Sequence, residues 1–378
     1  MTAQYLLCGQ LAYMSRQGMN VFLITSPGES LEEFGRRENV TVIPLPIERE
    51  IHVFKDCRAL WSLYRKIRQI KPDIINASTP KAGFLGMLAA WLARVPVRIY
   101  ALRGLRLETK KGLSRLVLAS TERTAAACAH RIICVSESLR RAFVENGLTT
   151  ESKTLILCSG SSNGVDASRF HTKTNSEKDA LRSALGISQD TFLIGFVGRL
   201  THDKGLAELL DCFDLLCKSF PNVRLLVVGD FEKGDPVPPE LEARFKGHPR
   251  IQILGFVPDT APYYEIIDVL LFPSYREGFP NSPLEAAAAG VPAIAFRVTG
   301  SIDAIEDGVT GRLVPIHDSA ALAEAVAGYI REPESLREHG QAARERVLKS
   351  FRPQQIWEAL HRLYLQLLDE TGTIKGRA

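Results

Sequence analysis

The chain has 378 residues, 45% of them apolar, and a mean hydropathy close to zero. That length suggests two domains, and the composition is that expected of a soluble globular chain. The net charge of +4 conceals an asymmetry, because residues 1–165 carry 23 Lys and Arg against 13 Asp and Glu, while residues 166–378 carry 24 against 30. A basic first half points to an anionic partner: phosphates, a membrane surface or nucleic acid. The seven cysteines form no Cys-x-x-Cys and do not cluster with the histidines, which argues against a zinc site or a disulfide scaffold and fits a reducing cytosol. The longest apolar run, Ala82 to Ala93, is 12 residues with two glycines, too short to span a bilayer. No signal-peptide pattern is present.

The predicted elements alternate. A helix over 3–17 precedes a strand at Val21–Thr25, a helix at Leu31–Arg37 and a strand at Val40–Ile43. Leu60 to Gln69 reads as a basic amphipathic helix, followed by a short strand at Ile74–Ile75 and an apolar helix over 84–94. Strand Val97–Ala101, helix 112–128, strand Arg131–Val135, helix 137–146 capped by Ser136, and strand Thr154–Cys158 complete the first series. This grammar specifies a mostly parallel sheet with helices on both faces. Such a domain normally opens with a strand. Here the chain opens in a helix, so a first strand is expected to be missing.

Ser159 to Gly164 is a turn-rich break, and Val165 to about Lys178 reads as a linker. The second series has strands at Phe192–Val197, Arg224–Val228, Ile251–Leu254, Val269–Phe272 and Ala293–Phe296, with a turn and strand over 307–314. Its helices are expected over 206–219, 240–245, from Asn281 onward, and over 301–306, 319–330 and 334–350. A final amphipathic helix, Pro353 to Leu368, repeats Ile356, Leu360, Leu363 and Leu367 on one face. The domains are expected at 1–170, joined by helix 353–370, and at 171–352.

In an open parallel sheet, ligands bind beyond the carboxyl ends of the strands. Four turns here fall at such ends. Gly198-Arg199-Leu200 leads to Lys204-Gly205, where glycines admit a phosphate to the backbone and the cations grip its oxygens. The others are Gly229-Asp230, Gly255-Phe256-Val257 and the turn from Glu277 to Glu285. In that last turn Asn281 or Ser282 can cap the helix, Pro283 suits its first turn, and the helix start offers free N–H groups to an anion. Glu277 and Glu285 also satisfy the ordinary preference for acids near a helix N-terminus. No Walker motif and no Gly-x-Gly-x-x-Gly after a strand occur, which weakens a nucleotide-hydrolase or nicotinamide-dehydrogenase reading.

Taken in order, Gly198-Arg-Leu, Lys204-Gly, Gly229, Gly255-Phe-Val, Glu277-Gly-Phe-Pro-Asn-Ser-Pro-Leu-Glu285-Ala and Ala289-Gly-Val-Pro292 strongly resemble glycosyltransferase family 4 over residues 20–370. Thr79-Pro-Lys-Ala-Gly83, Arg103-Gly-Leu105 and Ser161-Ser-Asn-Gly-Val-Asp166 are similar to the branch that builds capsule, exopolysaccharide and other lipid-linked bacterial glycans. The resemblance implies an α/β GT-B fold: two Rossmann-like domains facing a cleft, with the last helix crossing back to the first. It implies a retaining transfer without metal or cofactor. A hexosyl or N-acetylhexosaminyl group would move from a nucleotide-sugar, a UDP-sugar by the branch, to a saccharide on a polyprenyl diphosphate. Arg199 and Lys204, with Gly198, would bind the donor diphosphate. Glu285 would take the ribose hydroxyls. Glu277, with the backbone of Gly278, Phe279 and Pro280, would meet the donor sugar and its phosphate, and Gly255, Phe256 and Val257 would flank the base.

One departure concerns the first domain. Many members place a histidine where this chain has Arg103, and an arginine, always charged, cannot carry a proton but can bind phosphate or acceptor. Arg103 therefore joins Glu277, Arg199 and Lys204 as a candidate catalytic residue. The basic first half, with Arg65, Lys66, Arg68, Arg106, Lys110, Lys111 and Arg115, suits a cytoplasmic enzyme held peripherally on the anionic inner face of the cell membrane. Nucleic-acid binding is disfavoured, because these cations are not interleaved with aromatics. Two other readings stay open at the level of sequence: a UDP-sugar 2-epimerase-like enzyme, and a truncated, non-catalytic nucleotide-sugar binder.

Overall fold

Strands and helices alternate along the chain in the computed structural model, which describes residues 6–28, 30–48, 52–170, 173–232 and 234–373. The chain divides into two units. The first runs to Asn163 and resumes at Pro353; the second is Gly164–Arg352.

In the first unit, helix α1 (Gln10–Arg16) leads to β1 (Phe22–Thr25), α2 (Leu31–Glu38) and β2 (Thr41–Pro44). Helix α3 (Val53–Ile70), β3 (Ile74–Ser78), α4 (Pro80–Leu92), β4 (Val97–Leu102), α5 (Gly112–Cys128), β5 (Arg131–Cys134), α6 (Glu137–Glu145) and β6 (Thr154–Leu155) follow. All pairings are parallel. Strands β1 and β2 form a two-stranded piece, and β3-β4-β5-β6 a separate four-stranded sheet. Two apolar layers sandwich the larger sheet. On one side Ala59, Leu63 and Ile67 of α3 pack on Leu85, Ala89 and Ala90 of α4. On the other, Val97, Ile99 and Ile133 meet Leu360, Tyr364 and Leu367. Those last residues belong to the terminal helix, Pro353–Glu370, so the chain returns to its first unit, as the family resemblance implied, and buries there the apolar face of Ile356, Leu360 and Leu367.

The second unit holds α7 (Asn175–Ala184), β7 (Phe192–Val197), α8 (Leu206–Ser219), β8 (Val223–Val228), α9 (Pro239–Gly247), β9 (Ile251–Ile253), α10 (Ala261–Tyr264) and β10 (Val269–Phe272). Then come α11 (Asn281–Ala288), β11 (Ala293–Phe296), α12 (Ser301–Ala304), β12 (Gly311–Val314), α13 (Ser319–Arg331) and α14 (Pro333–Ser350); the terminal helix is α15. Its six strands run in the order β12-β11-β10-β7-β8-β9. The reversal of direction at β7 and β10 places the chain's two richest loops side by side. The core strands β7, β8, β10 and β11 are near-continuous apolar runs, as strands covered on both faces must be.

Several expectations need correction. The stretch read as a linker, Val165 to about Lys178, runs into α7, which starts at Asn175. Thr174 and Glu177 form a capping box: the Thr174 hydroxyl accepts from the Glu177 amide (3.3 Å), and the Glu177 carboxylate accepts from the Thr174 amide (2.7 Å). Its polar composition hid the helix from a periodicity reading. Helix α3 begins at Val53 instead of Leu60, because Asp56 accepts from the His52 amide (3.2 Å) and stops the first turn from fraying. Helix α4 starts at Pro80, where the missing N–H costs nothing. Strand β3 extends to Ser78, while β6 stops at Leu155 and the 301–306 helix at Ala304. The opening helix is described from Gln10; the part of its expected span over 3–5 lies outside the described residues.

Candidate active site

The site is built on backbone proximity between two loops. After β7 the chain turns through His202–Lys204 to Gly205, which has φ +64° and opens α8. A Cβ at Gly205 would lie 2.0 Å from the carbonyl oxygen of Pro273, in the loop after β10. Only glycine permits that approach. Gly229 plays the same part between β8 and β7, where a Cβ would lie 1.9 Å from the Gly198 carbonyl oxygen. The Tyr275 amide donates to the Asp203 carbonyl (2.9 Å) and stitches the two loops together. Gly205→Ala is expected to destabilise the second unit by about 2 kcal/mol or more, read as a lowered midpoint in a denaturant melt, because backbone must move to admit the methyl.

Two crossed ion pairs follow from the approach. Lys204 Nζ pairs with Glu277 Oε1, and Arg276 pairs with Asp203. The Lys204 and Glu277 side chains are only 16% and 15% exposed. Glu277 also accepts from the hydroxyl of buried Ser274 (2.7 Å), and the Lys204 ammonium stands 5.0 Å from the Phe272 ring centre. A lysine held against an aromatic face with one carboxylate partner keeps unused donor capacity, since an ammonium offers three hydrogens. Arg199 is not part of this pair. It is 62% exposed and pairs with Glu232, 33 residues away in the loop after β8.

The helix start of α11 corrects another expectation. Neither Asn281 nor Ser282 caps it; Pro280 occupies the cap position with no side-chain bond. The Ser282 hydroxyl instead donates to the Val197 carbonyl (2.8 Å), fixing the helix start to the end of β7. The Phe279 side chain is buried against Phe351 (5.4 Å between ring centres), which leaves only its backbone for a ligand. The Gly278 carbonyl is held close to Gly300, where a Cβ would approach to 2.6 Å. Gly255 has φ +74° and its carbonyl accepts from the Gly229 amide (2.9 Å); Phe256 beside it is exposed.

Glu285 lies one turn into α11. Burial pushes its carboxyl up to about 7, partly offset by the Tyr264 hydroxyl. That hydroxyl is itself fully buried and faces Glu285 without reaching ordinary hydrogen-bond geometry. A carboxyl so placed is under-supplied with donors. Sequence reasoning missed Tyr264, Ser274, Asp203 and Glu232. Ser274 and Asp203 sit inside or beside the motifs and were open to inspection; the distant pairs carried no local signal.

In the first unit, Arg103 follows β4. Its Nε and Nη1 are buried without a hydrogen-bond partner, and burial lowers the guanidinium to about 10. Among the described residues no group of three or more His, Cys, Asp or Glu is placed to hold a metal ion.

Fold and loops together define a class: a two-unit α/β protein with its charged loops at the carboxyl ends of the strands. Family models agree on both units. Residues 5–157 match the glycosyl transferase 4-like domain, and residues 177–346 match the glycosyl transferases group 1 model. The capsular polysaccharide biosynthesis glycosyltransferase CapM of Staphylococcus aureus is 36% identical over 367 residues, covering 97% of this chain and 95% of that protein. An Escherichia coli UDP-Gal:alpha-D-GlcNAc-diphosphoundecaprenol alpha-1,3-galactosyltransferase is 25% identical over 85% of this chain and 82% of its own. The fold is shared with Anabaena HepE, solved in complex with UDP (TM-score 0.79, 21% identity, 97% of this chain and 96% of that one). The chain belongs to glycosyltransferase family 4, with the GT-B fold, and is a glycosyltransferase.

Proposed function

We propose that the protein moves a hexosyl or N-acetylhexosaminyl group from a UDP-sugar to a saccharide carried on a polyprenyl diphosphate, in surface polysaccharide synthesis. The observation that carries this reading is the Lys204–Glu277 pair, held at the carboxyl ends of β7 and β10 by the Gly205–Pro273 approach. The names of the relatives supply the substrates: capsular polysaccharide for CapM, a UDP-sugar and a diphosphoundecaprenol acceptor for the E. coli enzyme. HepE was also solved with UDP-glucose.

In this reading Lys204, Arg199, the Gly198 turn and the N-terminus of α11 bind the donor diphosphate. They stabilise the negative charge that grows there as the sugar–phosphate bond breaks, without a divalent cation. The acceptor hydroxyl attacks the anomeric carbon from the face the phosphate leaves, and its proton passes to the departing phosphate oxygen, so the configuration is retained. Glu277 and the backbone of Gly278, Phe279 and Pro280 orient the sugar. Glu285 accepts from the ribose hydroxyls, and Gly255, Phe256 and Val257 flank the base. Arg103, on the first unit, binds phosphate or acceptor. The test is a panel of UDP-, GDP- and ADP-sugars offered with a lipid-diphosphate-saccharide: acceptor-dependent release of UDP is expected, and interconversion of free donor would indicate an epimerase instead.

The first unit also suits an anionic membrane surface. No helix among the described residues is long and apolar enough to cross a bilayer. On α3, Phe54 is 92% and Trp61 60% exposed; on α5, Leu113, Leu116 and Val117 are exposed beside Lys110 and Lys111. Helix α4 packs against both. Arg65, Lys66, Arg68 and Arg106 are also exposed, whereas Arg115 is engaged with Asn146 (2.6 Å) and the Leu107 carbonyl (3.2 Å). Aromatic and aliphatic side chains among lysines and arginines match the interfacial pattern. Co-sedimentation with phosphatidylglycerol vesicles at low salt is expected, and L113E/L116E should weaken it by about tenfold or more. Equal partitioning of the two proteins would contradict the docking face.

A further inference from the structure

Arg103 has neither a hydrogen bond nor an ion pair among the described residues, although its Nε and Nη1 are buried. A buried guanidinium left without an acceptor is costly, and such groups are normally paired. Arg103 continues the register of Val97 and Ile99, the face of β4 that α15 covers. Within its electrostatic reach lies the hydroxyl of Tyr364, on α15. That hydroxyl accepts from the Asn76 amide nitrogen (2.8 Å), and no described acceptor takes its own hydrogen. Burial raises the phenol to about 12, so the proton stays on it. Two neighbouring groups therefore offer only donors, and neither has an acceptor. The complement of such a pair is an anion with several acceptor oxygens, and the planar fork of arginine suits a phosphoryl group.

We propose that Arg103 and Tyr364 form a phosphoryl-binding subsite of the first unit, and that it holds the diphosphate of the lipid-linked acceptor. The subsite itself stands on the unpaired donors; only the source of the phosphate rests on the acceptor proposed above. Arg103 here fixes the acceptor through its diphosphate and takes no part in proton transfer.

The test is calorimetric titration of wild type, Arg103→Gln and Tyr364→Phe, all with saturating UDP to occupy the second unit. The probes are inorganic pyrophosphate, farnesyl diphosphate and acetate. Both diphosphates are expected to bind wild type, acetate far more weakly, and Arg103→Gln should lose about tenfold or more in affinity for each diphosphate, with a smaller loss for Tyr364→Phe. Without any ligand, Arg103→Gln should melt higher than wild type, because an unpaired buried cation is gone. Equal pyrophosphate binding by wild type and Arg103→Gln would overturn the proposal, as would a lower melting temperature for the ligand-free variant, which would make Arg103 structural. Phosphatidylglycerol vesicles should bind both proteins alike; loss of vesicle binding in Arg103→Gln would place a headgroup there and overturn the assignment to the acceptor. If UDP failed to bind while pyrophosphate still depended on Arg103, the donor-site reading would fall and the subsite would stand.

Discussion

Lys204→Ala is expected to lower the turnover of sugar transfer at saturating donor by about 10²–10³-fold, the usual consequence of removing one preorganised group from a developing oxyanion. The substitution also strips Glu277 of its cationic partner, leaving a carboxylate that is 15% exposed with only the Ser274 hydroxyl to satisfy it. Some loss of stability therefore accompanies the loss of rate, and the two must be separated. Kinetics should be run well below the variant's melting temperature, with donor affinity measured independently. The expected signature is a fall in kcat larger than any rise in KM, because the charge that Lys204 meets is greater in the transition state than in the bound donor. Arg199→Ala should fall by more than tenfold but less than Lys204→Ala, since Arg199 is exposed and screened by Glu232. If both variants kept wild-type turnover, the diphosphate grip would be wrongly assigned.

The second large effect concerns Glu285. With its carboxyl pushed up to about 7 by burial, it is mostly protonated at pH 6 and mostly ionised at pH 8. In the proposed site only the ionised form can accept from both ribose hydroxyls. Donor affinity should therefore rise about tenfold from pH 6 to pH 8, one unit of titration on either side of the midpoint. An intact UDP-sugar is the right probe, because its diphosphate has no titration in this range. Glu285→Gln should bind donor weakly and with a flat pH profile; a variant that kept the wild-type slope would remove Glu285 from the ribose. Stability moves the other way. The folded-state value lies above the ordinary 4.5, so the folded state holds the proton more tightly than the unfolded chain. Stability falls as pH rises from about 4.5 to 7, and above that window the buried charge costs up to about 3 kcal/mol. Without donor at pH 8, Glu285→Gln should melt higher than wild type.

Much of this site is legible in the residues themselves. Glycine-rich turns at the strand ends read as room for a phosphate, whereas Gly205 and Gly229 admit the neighbouring backbone of Pro273 and Gly198. The apolar runs of β7, β8, β10 and β11 declare strands covered on both faces, and the spacing of Ile356, Leu360 and Leu367 declares an amphipathic helix, whose return to the first unit only the family resemblance implied. What the residues could not reveal is pairing across loops. Arg199 finds Glu232 and Glu285 meets Tyr264 through tertiary contacts between segments far apart in sequence, and no periodicity encodes them. Local chemistry was misread in two places. Thr174 and Glu177 hold a helix in a stretch too polar to show an apolar face, and Pro280, Asn281 and Ser282 look like a capped helix start although the serine is spent on Val197. The exposed Phe54 escaped notice because α3 begins seven residues before its clearest amphipathic stretch, whereas Trp61 lies inside that stretch and was open to inspection.

The central claim is that the charged loops after β7 and β10 activate a nucleotide-sugar for transfer to a lipid-diphosphate acceptor. Release of UDP from a UDP-sugar, followed with and without a polyprenyl-diphosphate-saccharide, tests it most directly. Release that requires the acceptor, appears in a product of retained anomeric configuration, persists in chelator and collapses in Lys204→Ala is the predicted result. Release that is independent of acceptor, or equal in Lys204→Ala and wild type, would contradict it.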